Sequence, residues 1–113
     1  MIQVYHNSRC GKSRCAIQLL EESGQIFEIK NYLQNIPTTQ ELKEILVKLG
    51  LKPIDLIRKK ESVFVEKYKG KNFSDEQWID IMVENPILIE RPIVINGDRA
   101  VVARPAELLL EII

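Results

Sequence analysis

Cys10 is the residue of this sequence best placed for chemistry, because it lies where a predicted helix begins. A polar segment precedes it and a helical pattern starts at Gly11. Unpaired backbone N–H groups and the positive end of the helix dipole stabilise a thiolate at such a position. Free cysteines are also among the most buried residue types, but the polar and basic surround favours a reactive thiol. The surrounding residues are Asn7, Ser8, Arg9, Gly11, Lys12 and Ser13.

The same N–H groups, beginning at Gly11, are suited to binding a phosphate-like oxyanion. A thiolate and an oxyanion repel each other, so attack of one on the other requires additional cations. Arg91 and Arg104 are candidates, because each precedes a proline that holds it in an extended conformation. For both, a solvated surface arginine remains the alternative, since the following proline mainly specifies backbone shape.

His6 and Cys15 are secondary candidates. His6 could assist proton transfer or stabilise its loop through an imidazole hydrogen bond. If Cys10 and Cys15 lie on one helix, their Cα atoms are roughly 8 to 9 Å apart, too far for an unstrained disulfide. We therefore expect Cys15 to belong to the core. One histidine and two cysteines are a poor set of metal ligands, so we predict no metal and no bound cofactor.

The composition is that of an ordinary globular protein. The chain has 113 residues, of which 45% are hydrophobic and 28% charged, and this length suits one domain. Sixteen basic residues balance sixteen acidic ones, which argues against a nucleic-acid partner. No apolar run approaches a membrane span, and the first residues lack the pattern of a signal peptide, so we expect a cytoplasmic protein without a membrane partner.

Periodicity and capping signals predict the elements that must position these residues. The chain order is β-α-β, an all-helical insertion at about residues 37–86, and then β-β-α. This order predicts a single α/β domain over residues 1–113, with a thioredoxin-like fold and a mixed four-stranded sheet. The predicted elements are a strand from Met1 to Tyr5, a helix from Gly11 to Ser23, a strand from Ile26 to Tyr32, helices from Gln40 to Leu49 and from Ser74 to Pro86, short helical pieces from Pro53 to Lys69, strands from Pro92 to Ile95 and from Ala100 to Ala103, and a helix opening at Pro105.

Local signals support the insertion. Thr38 with Glu41, and Ser74 with Gln77, have the spacing of capping boxes. Phe73 and Trp78 flank the second cap as a hydrophobic staple would. Gly50 is expected to end the first inserted helix.

Four motifs closely resemble the glutaredoxin-coupled arsenate reductase family, within the ArsC/Spx-like superfamily, and together they span nearly the whole chain. They are His6-Asn7-Ser8-Arg9-Cys10-Gly11-Lys12-Ser13-Arg14, Leu56-Ile57-Arg58-Lys59, Asn85-Pro86-Ile87-Leu88-Ile89-Glu90-Arg91-Pro92-Ile93-Val94 and Ala103-Arg104-Pro105-Ala106-Glu107. The resemblance implies a thioredoxin-like fold and reduction of arsenate to arsenite in arsenic detoxification. It implies that the residue matching Cys10 forms a thiol-arsenate adduct, which glutathione attacks as co-substrate and glutaredoxin resolves.

The resemblance also implies roles for particular residues. Arg58, Arg91 and Arg104 match three arginines that hold the oxyanion and lower the pKa of the cysteine. His6 matches a histidine near the nucleophile, and the peptide matching Arg91-Pro92 is cis. Composition alone does not single out Arg58.

Two other functions remain open from the sequence. One is a Spx-type regulator that binds RNA polymerase, although the C-x-x-C switch that would favour it is missing. The other is a glutathione-dependent thiol reductase of a different substrate, which would share the Cys10 nucleophile but would not need arsenate.

Overall fold

The computed structural model describes residues 2–7 and 9–113. Met1, at the start of the first predicted strand, and Ser8, in the loop before Cys10, lie outside the described residues. The chain divides into two compact units. Met1–Asn35 and Arg91–Ile113 form the first, here called the sheet unit, and Ile36–Glu90 forms the second, here called the helical unit. The single domain remains a prediction.

The sheet unit contains a mixed four-stranded sheet in the order β2-β1-β3-β4. The first pair, β1 with β2, is parallel, and the other two pairs are antiparallel. This arrangement confirms the predicted α/β fold class. Its elements are β1 (Ile2–Tyr5), α1 (Gly11–Glu22), β2 (Phe27–Lys30), β3 (Ile93–Asn96), β4 (Arg99–Val102) and a 3₁₀ helix (Ala106–Glu111).

Two of these elements differ from their predictions in helix type or by more than one residue at an end. The predicted strand from Ile26 to Tyr32 was too long, because β2 lies at the sheet edge and pairs only along the four residues of β1. The closing helix is 3₁₀ rather than α. Pro105 precedes its first residue, and the N–H of Leu108 donates to the Pro105 carbonyl at 3.1 Å, the i→i+3 spacing of a 3₁₀ turn.

An apolar cluster packs α1 and the closing helix on the sheet. Val4 and Val94 are cross-strand partners, and Ala16 and Leu20 lie four residues apart on one face of α1. All four are fully buried. This packing fixes the N-terminus of α1 relative to the end of β1. The buried members of the cluster are Ile2, Val4, Ala16, Leu20, Val94, Ala103, Leu109 and Ile112.

The helical unit has its own α-helices and its own core. Both capping boxes are confirmed, with Thr38 Oγ1 accepting from Glu41 N–H at 3.1 Å and the Gln77 side chain accepting from Ser74 N–H at 2.8 Å. Gly50 ends α2 in the left-handed region, as expected. The α-helices are α2 (Thr39–Leu49), α3 (Ser62–Lys67) and α4 (Asp75–Glu84), and short 3₁₀ helices cover Pro53–Leu56 and Pro86–Leu88.

Aromatic side chains form part of the core of the helical unit. The rings of Phe73 and Trp78 meet edge to face at a centroid distance of 4.9 Å, which confirms the predicted staple. Phe64 and Tyr68 pack against the same Trp78 ring, at 6.0 and 6.4 Å. The turn between α3 and α4 is thereby tied to both helices.

Candidate active site

The strand register brings the candidate residues of the sheet unit to one edge of the sheet, namely the edge at which β1, β2 and β4 end and β3 begins. Tyr5, at the end of β1, pairs with Lys30 at the end of β2 and with Ile93 at the start of β3, and Ile93 pairs with Val102 at the end of β4. The segments that follow β1, β2 and β4 and the segment that precedes β3 therefore emerge at the same edge. In chain order these segments carry His6 and Cys10, then Tyr32, then Arg91, and then Arg104.

Backbone hydrogen bonds hold Cys10 directly ahead of α1. The Cys10 N–H donates to the Asn7 carbonyl at 2.9 Å, and the Arg9 N–H donates to Asn7 Oδ1 at 3.0 Å. The Cys10 carbonyl accepts from Arg14 N–H at 3.1 Å, which begins the helix. Asn7 is buried. A buried asparagine thus fixes the loop so that the Cys10 side chain meets the free N–H groups of the first helical turn.

The Cys10 thiol is acidic despite partial burial. Burial raises its pKa, but the Ser13 N–H, the Arg91 side chain, the Lys12 N–H and the Ser13 hydroxyl together lower it to about 7. Ser13 is fully buried, and its oxygen also accepts from Asn7 N–H at 3.4 Å. The hydroxyl can therefore donate its proton toward the sulfur while accepting from the loop. Donors to a thiolate favour the charged form.

Arg91 is a buried cation in contact with the nucleophile, and 8% of it is exposed. Burial lowers its pKa, but hydrogen bonds and charge interactions with Cys10 and Tyr32 outweigh that effect and raise the pKa above its usual value. The guanidinium is therefore charged at every physiological pH. The structure brings Cys10 and Arg91 together.

Arg104 lies beside Arg91. Its Nη1 donates to the Arg91 carbonyl at 3.2 Å. The Arg91-Pro92 peptide is cis, which confirms the expectation drawn from the resemblance, and the Arg104-Pro105 peptide is cis as well. Two arginines from the two ends of the β3–β4 hairpin are thereby neighbours at the edge that holds Cys10.

His6 is buried in the same edge and is anchored through its backbone. Its N–H donates to the Lys30 carbonyl at 2.9 Å. Burial lowers the pKa of the imidazole, and the positive charge of Arg14 lowers it further. Nδ1 is buried and has no hydrogen-bond partner within the described part of the chain. His6 is therefore mostly neutral at pH 7, with one buried ring nitrogen that can accept or donate a hydrogen bond.

Arg58 lies in the helical unit, where two carboxylates hold its side chain. Its Nε is 3.2 Å from Glu61 and its Nη1 is 3.0 Å from Glu90. An isolated bridge between Ile57 and Ile89 aligns the two short segments that carry Arg58 and Glu90. The guanidinium is thus fixed in orientation within its own unit.

Cys15 is exposed, so the prediction that it belongs to the core was wrong. The buried face of α1 runs through Ser13, Ala16 and Leu20. Because each residue turns a helix by about 100°, Cys15 lies about 200° around the helix from Ser13, on the solvent side. Both cysteines are free thiols.

Sequence reasoning missed the importance of two residues, Ser13 and Tyr32. Ser13 was predicted only as one of several polar residues around Cys10. Its position in the first turn of α1, three residues after Cys10, places its N–H and hydroxyl near the Cys10 side chain. Tyr32 follows a strand parallel to β1, so its place at the same sheet edge could have been inferred from the β-α-β order. Its electrostatic interaction with Arg91 could not have been inferred in that way.

No group of three His, Cys, Asp or Glu side chains arranged to hold a metal ion occurs among residues 2–7 and 9–113. Within that same part of the chain, no helix has the length and apolar character needed to cross a membrane.

The sheet unit thus has a thioredoxin-like sheet with an acidic cysteine ahead of its first helix. The model of the ArsC family matches residues 5–112. The chain belongs to the ArsC family. It is accordingly an oxidoreductase.

Individual relatives agree with this assignment. The arsenate reductase of Escherichia coli (strain K12) is 36% identical over 113 residues, covering 99% of this chain and 80% of the relative. The arsenate reductase of Neisseria meningitidis serogroup B is 39% identical over 108 residues, covering 94% of this chain and 92% of the relative. A solved structure of an arsenate reductase from Vibrio cholerae superposes with a TM-score of 0.94 at 38% identity, covering 99% of this chain and 97% of that one.

Proposed function

We propose that this protein reduces arsenate to arsenite, with Cys10 as the nucleophile. The observation that carries the proposal is the acidic Cys10 thiol, whose pKa of about 7 results from helix N–H groups, Ser13 and Arg91. About half of such a thiol is thiolate at pH 7, compared with a few per cent of an ordinary cysteine. Relatives named arsenate reductase that align with nearly the whole chain support arsenate as the substrate.

The first step is a condensation. The Cys10 sulfur attacks arsenic, an S–As bond forms, and one arsenate oxygen leaves as water after protonation. Arsenic is still As(V) in this adduct, so two electrons must follow. His6, neutral and with a buried ring nitrogen available, is the proposed proton-transfer residue near the nucleophile.

The oxyanion requires positive charge, because the thiolate repels it. We assign this role to Arg91 and Arg104, which are neighbours, and to the N–H groups of the helix start from Gly11 onward. Guanidinium groups bind tetrahedral oxyanions through paired hydrogen bonds, and helix N-termini bind such anions as well. The resemblance adds Arg58 as a third arginine, and that role stays a prediction.

The electrons are proposed to come from two thiols. The glutathione sulfur attacks arsenic in the adduct, an As–S bond to glutathione forms and a second oxygen leaves as water. A glutaredoxin thiolate then attacks the glutathione sulfur, which breaks that As–S bond, leaves its electron pair on arsenic and forms a glutaredoxin–glutathione mixed disulfide. Two thiols are thereby oxidised to one disulfide while As(V) becomes As(III). Hydrolysis of the remaining S–As bond releases arsenite and regenerates Cys10. We place this reaction in the cytoplasm, where the glutathione pool keeps thiols reduced. The four sequence motifs support this coupling.

The test is arsenate-dependent oxidation of NADPH in the presence of glutathione, glutaredoxin and glutathione reductase. We expect turnover by the wild-type protein, none by Cys10→Ser, and wild-type turnover by Cys15→Ser, because Cys15 is exposed on the opposite side of α1. Leaving out glutaredoxin or glutathione should abolish turnover. If the wild-type protein does not oxidise NADPH while Cys10 still reacts rapidly with iodoacetamide, arsenate is not the substrate and a thiol reductase of another substrate is favoured.

A further inference from the structure

We propose that a cleft between the segment after β1 and the segment after β2 binds the glycine end of glutathione, with Arg9 paired to the glycine carboxylate. The inference rests on the proposed function in that it takes glutathione as the thiol co-substrate, but it does not depend on arsenate being the substrate. The cleft has a volume of about 250 Å³, and its lining residues are Asn7, Arg9, Asn31, Leu33 and Gln34.

The pairing of β1 with β2 holds the two walls of the cleft in place. Just beyond these parallel strands, the His6 N–H donates to the Lys30 carbonyl at 2.9 Å, so the two segments leave the sheet side by side. The second wall is a turn, in which the N–H groups of Gln34 and Asn35 donate to the Asn31 carbonyl at 3.0 and 2.9 Å. Both walls are therefore fixed by backbone hydrogen bonds.

The first wall is continuous with the segment that carries the nucleophile. Asn7 is 4% exposed, its carbonyl accepts from the Cys10 N–H at 2.9 Å, and its Oδ1 accepts from the Arg9 N–H at 3.0 Å. Arg9 directly precedes Cys10, and consecutive Cα atoms are about 3.8 Å apart. In glutathione the thiol belongs to the residue next to glycine. A glycine end bound beside Arg9 thus leaves the thiol within reach of an adduct on Cys10.

The charge of the cleft selects the glycine end of the tripeptide. Arg9 is exposed, and none of the other lining residues is charged. No carboxylate of residues 2–7 or 9–113 forms an ion pair with Arg9, whereas Arg58 is paired with two. The glycine end of glutathione carries a carboxylate alone, while the γ-glutamyl end carries an ammonium group beside its carboxylate. The Arg9 guanidinium attracts the first and repels the ammonium group of the second.

The uncharged lining and the size of the cleft suit one end of a peptide. The side-chain amides of Asn31 and Gln34 offer both donors and acceptors, as a peptide group requires, and Leu33 adds apolar surface. Pockets for drug-sized ligands usually measure about 300 to 1,000 Å³. At about 250 Å³ the cleft holds part of a tripeptide, and the cysteinyl and γ-glutamyl parts extend out of it.

The test compares reduced glutathione with its glycine ethyl ester, in which the glycine carboxylate is uncharged. NMR titration of the Cys10→Ser, Cys15→Ser protein measures binding without arsenate and without turnover. We expect the ester to bind about fivefold more weakly than glutathione, since one exposed ion pair is lost. Adding Arg9→Gln should weaken glutathione about fivefold and leave the ester unchanged. Shift changes should centre on the side-chain amides of Asn31 and Gln34.

Arg99→Gln is the matched control. It removes the same charge at the start of β4, at the sheet edge opposite the site, where the Arg99 side chain donates to the Glu111 carbonyl. This variant should bind both ligands as the parent protein does. In the coupled NADPH assay, Arg9→Gln should raise the KM for glutathione about fivefold, and Arg99→Gln should not change it.

The outcomes distinguish this inference from the proposed function. Equal binding of glutathione and its ester by the parent protein, or an equal loss of both in Arg9→Gln, overturns the role of the cleft and leaves arsenate reduction intact. Shift changes that are absent, or confined to residues outside the cleft, overturn it as well. Glutathione binding that depends on Arg9, together with no arsenate turnover by the wild-type protein, supports the cleft and refutes arsenate as the substrate.

Discussion

Replacing Cys10 by serine should make the stability of the protein less dependent on pH. The folded protein holds the Cys10 thiol at a pKa of about 7, whereas the ordinary value is 9.0. A group that is more acidic in the folded state stabilises the fold at pH values above its unfolded pKa. That contribution disappears as the pH falls from 9 to 7. Serine does not ionise in this range, so Cys10→Ser lacks the contribution at every pH.

The magnitude follows from the difference in pKa. At 1.36 kcal/mol per pKa unit, full ionisation above pH 9 corresponds to at most about 2.7 kcal/mol. Because the thiol is only partly buried, solvent screening reduces this, and we expect about 1 to 2 kcal/mol. At pH 7 the contribution is about 0.4 kcal/mol before screening, because the thiol is then only half ionised in the folded state and almost fully protonated in the unfolded state.

The assay is urea unfolding of the wild-type protein and of Cys10→Ser from pH 6.5 to 9.5 under reducing conditions. The difference in free energy of unfolding should grow with pH in favour of the wild type. Cys15→Ser serves as the control for loss of an exposed thiol, and its curve should run parallel to that of the wild type. A difference that stays constant across this pH range would refute the electrostatic account of Cys10.

Three further predictions follow from single contacts. Arg91→Gln should raise the Cys10 pKa by about 1 or more and slow alkylation at pH 7 about fivefold, because a charge-assisted hydrogen bond is lost; an unchanged rate would contradict the assigned contact. In proton NMR titration, the midpoint for His6 should lie below 6.5, because burial and Arg14 disfavour the imidazolium, and a midpoint above 6.5 would contradict this. Gly50→Ala should lower the free energy of unfolding by about 1 kcal/mol, since alanine disfavours the left-handed conformation at φ +69°. Gly11→Ala is its control, because a Cβ there meets only Arg14 Nη2 at 3.7 Å, and equal losses in the two variants would argue against a conformational cause.

Elements with local signals were predictable from the sequence. Thr38 and Ser74 are the N-caps of their helices, and in each case the side chain three residues later accepts a hydrogen bond from the N-cap N–H. Both residues of such a pair lie within one helical turn, so the sequence alone reveals it. The position of Cys10 ahead of α1 was predictable for a similar reason. The limits of β2 were not, since β1 determines how many residues of β2 can pair.

Errors in the site arose where direction or distant contacts decide the outcome. Cys15 was placed in the core because it is too far from Cys10 for an unstrained disulfide, but the helical position of Ser13 and Ala16 turns it outward. The electrostatic interaction of Tyr32 with Arg91 joins residues separated by the whole helical insertion. Such contacts depend on the completed sheet, and no local pattern reports them.

The strand pairing of the sheet unit has a consequence for the timing of folding. Arg91 reaches Cys10 only when β3 has paired with β1, and β3 follows the long segment of the helical unit in the chain. Until that non-local pairing has formed, an unfinished chain lacks the contribution of Arg91 to the acidity of the Cys10 thiol, whereas the contributions of Ser13 and Lys12 are local to α1. The thiol therefore reaches its full acidity, and with it its full reactivity, only when the C-terminal hairpin has joined the sheet.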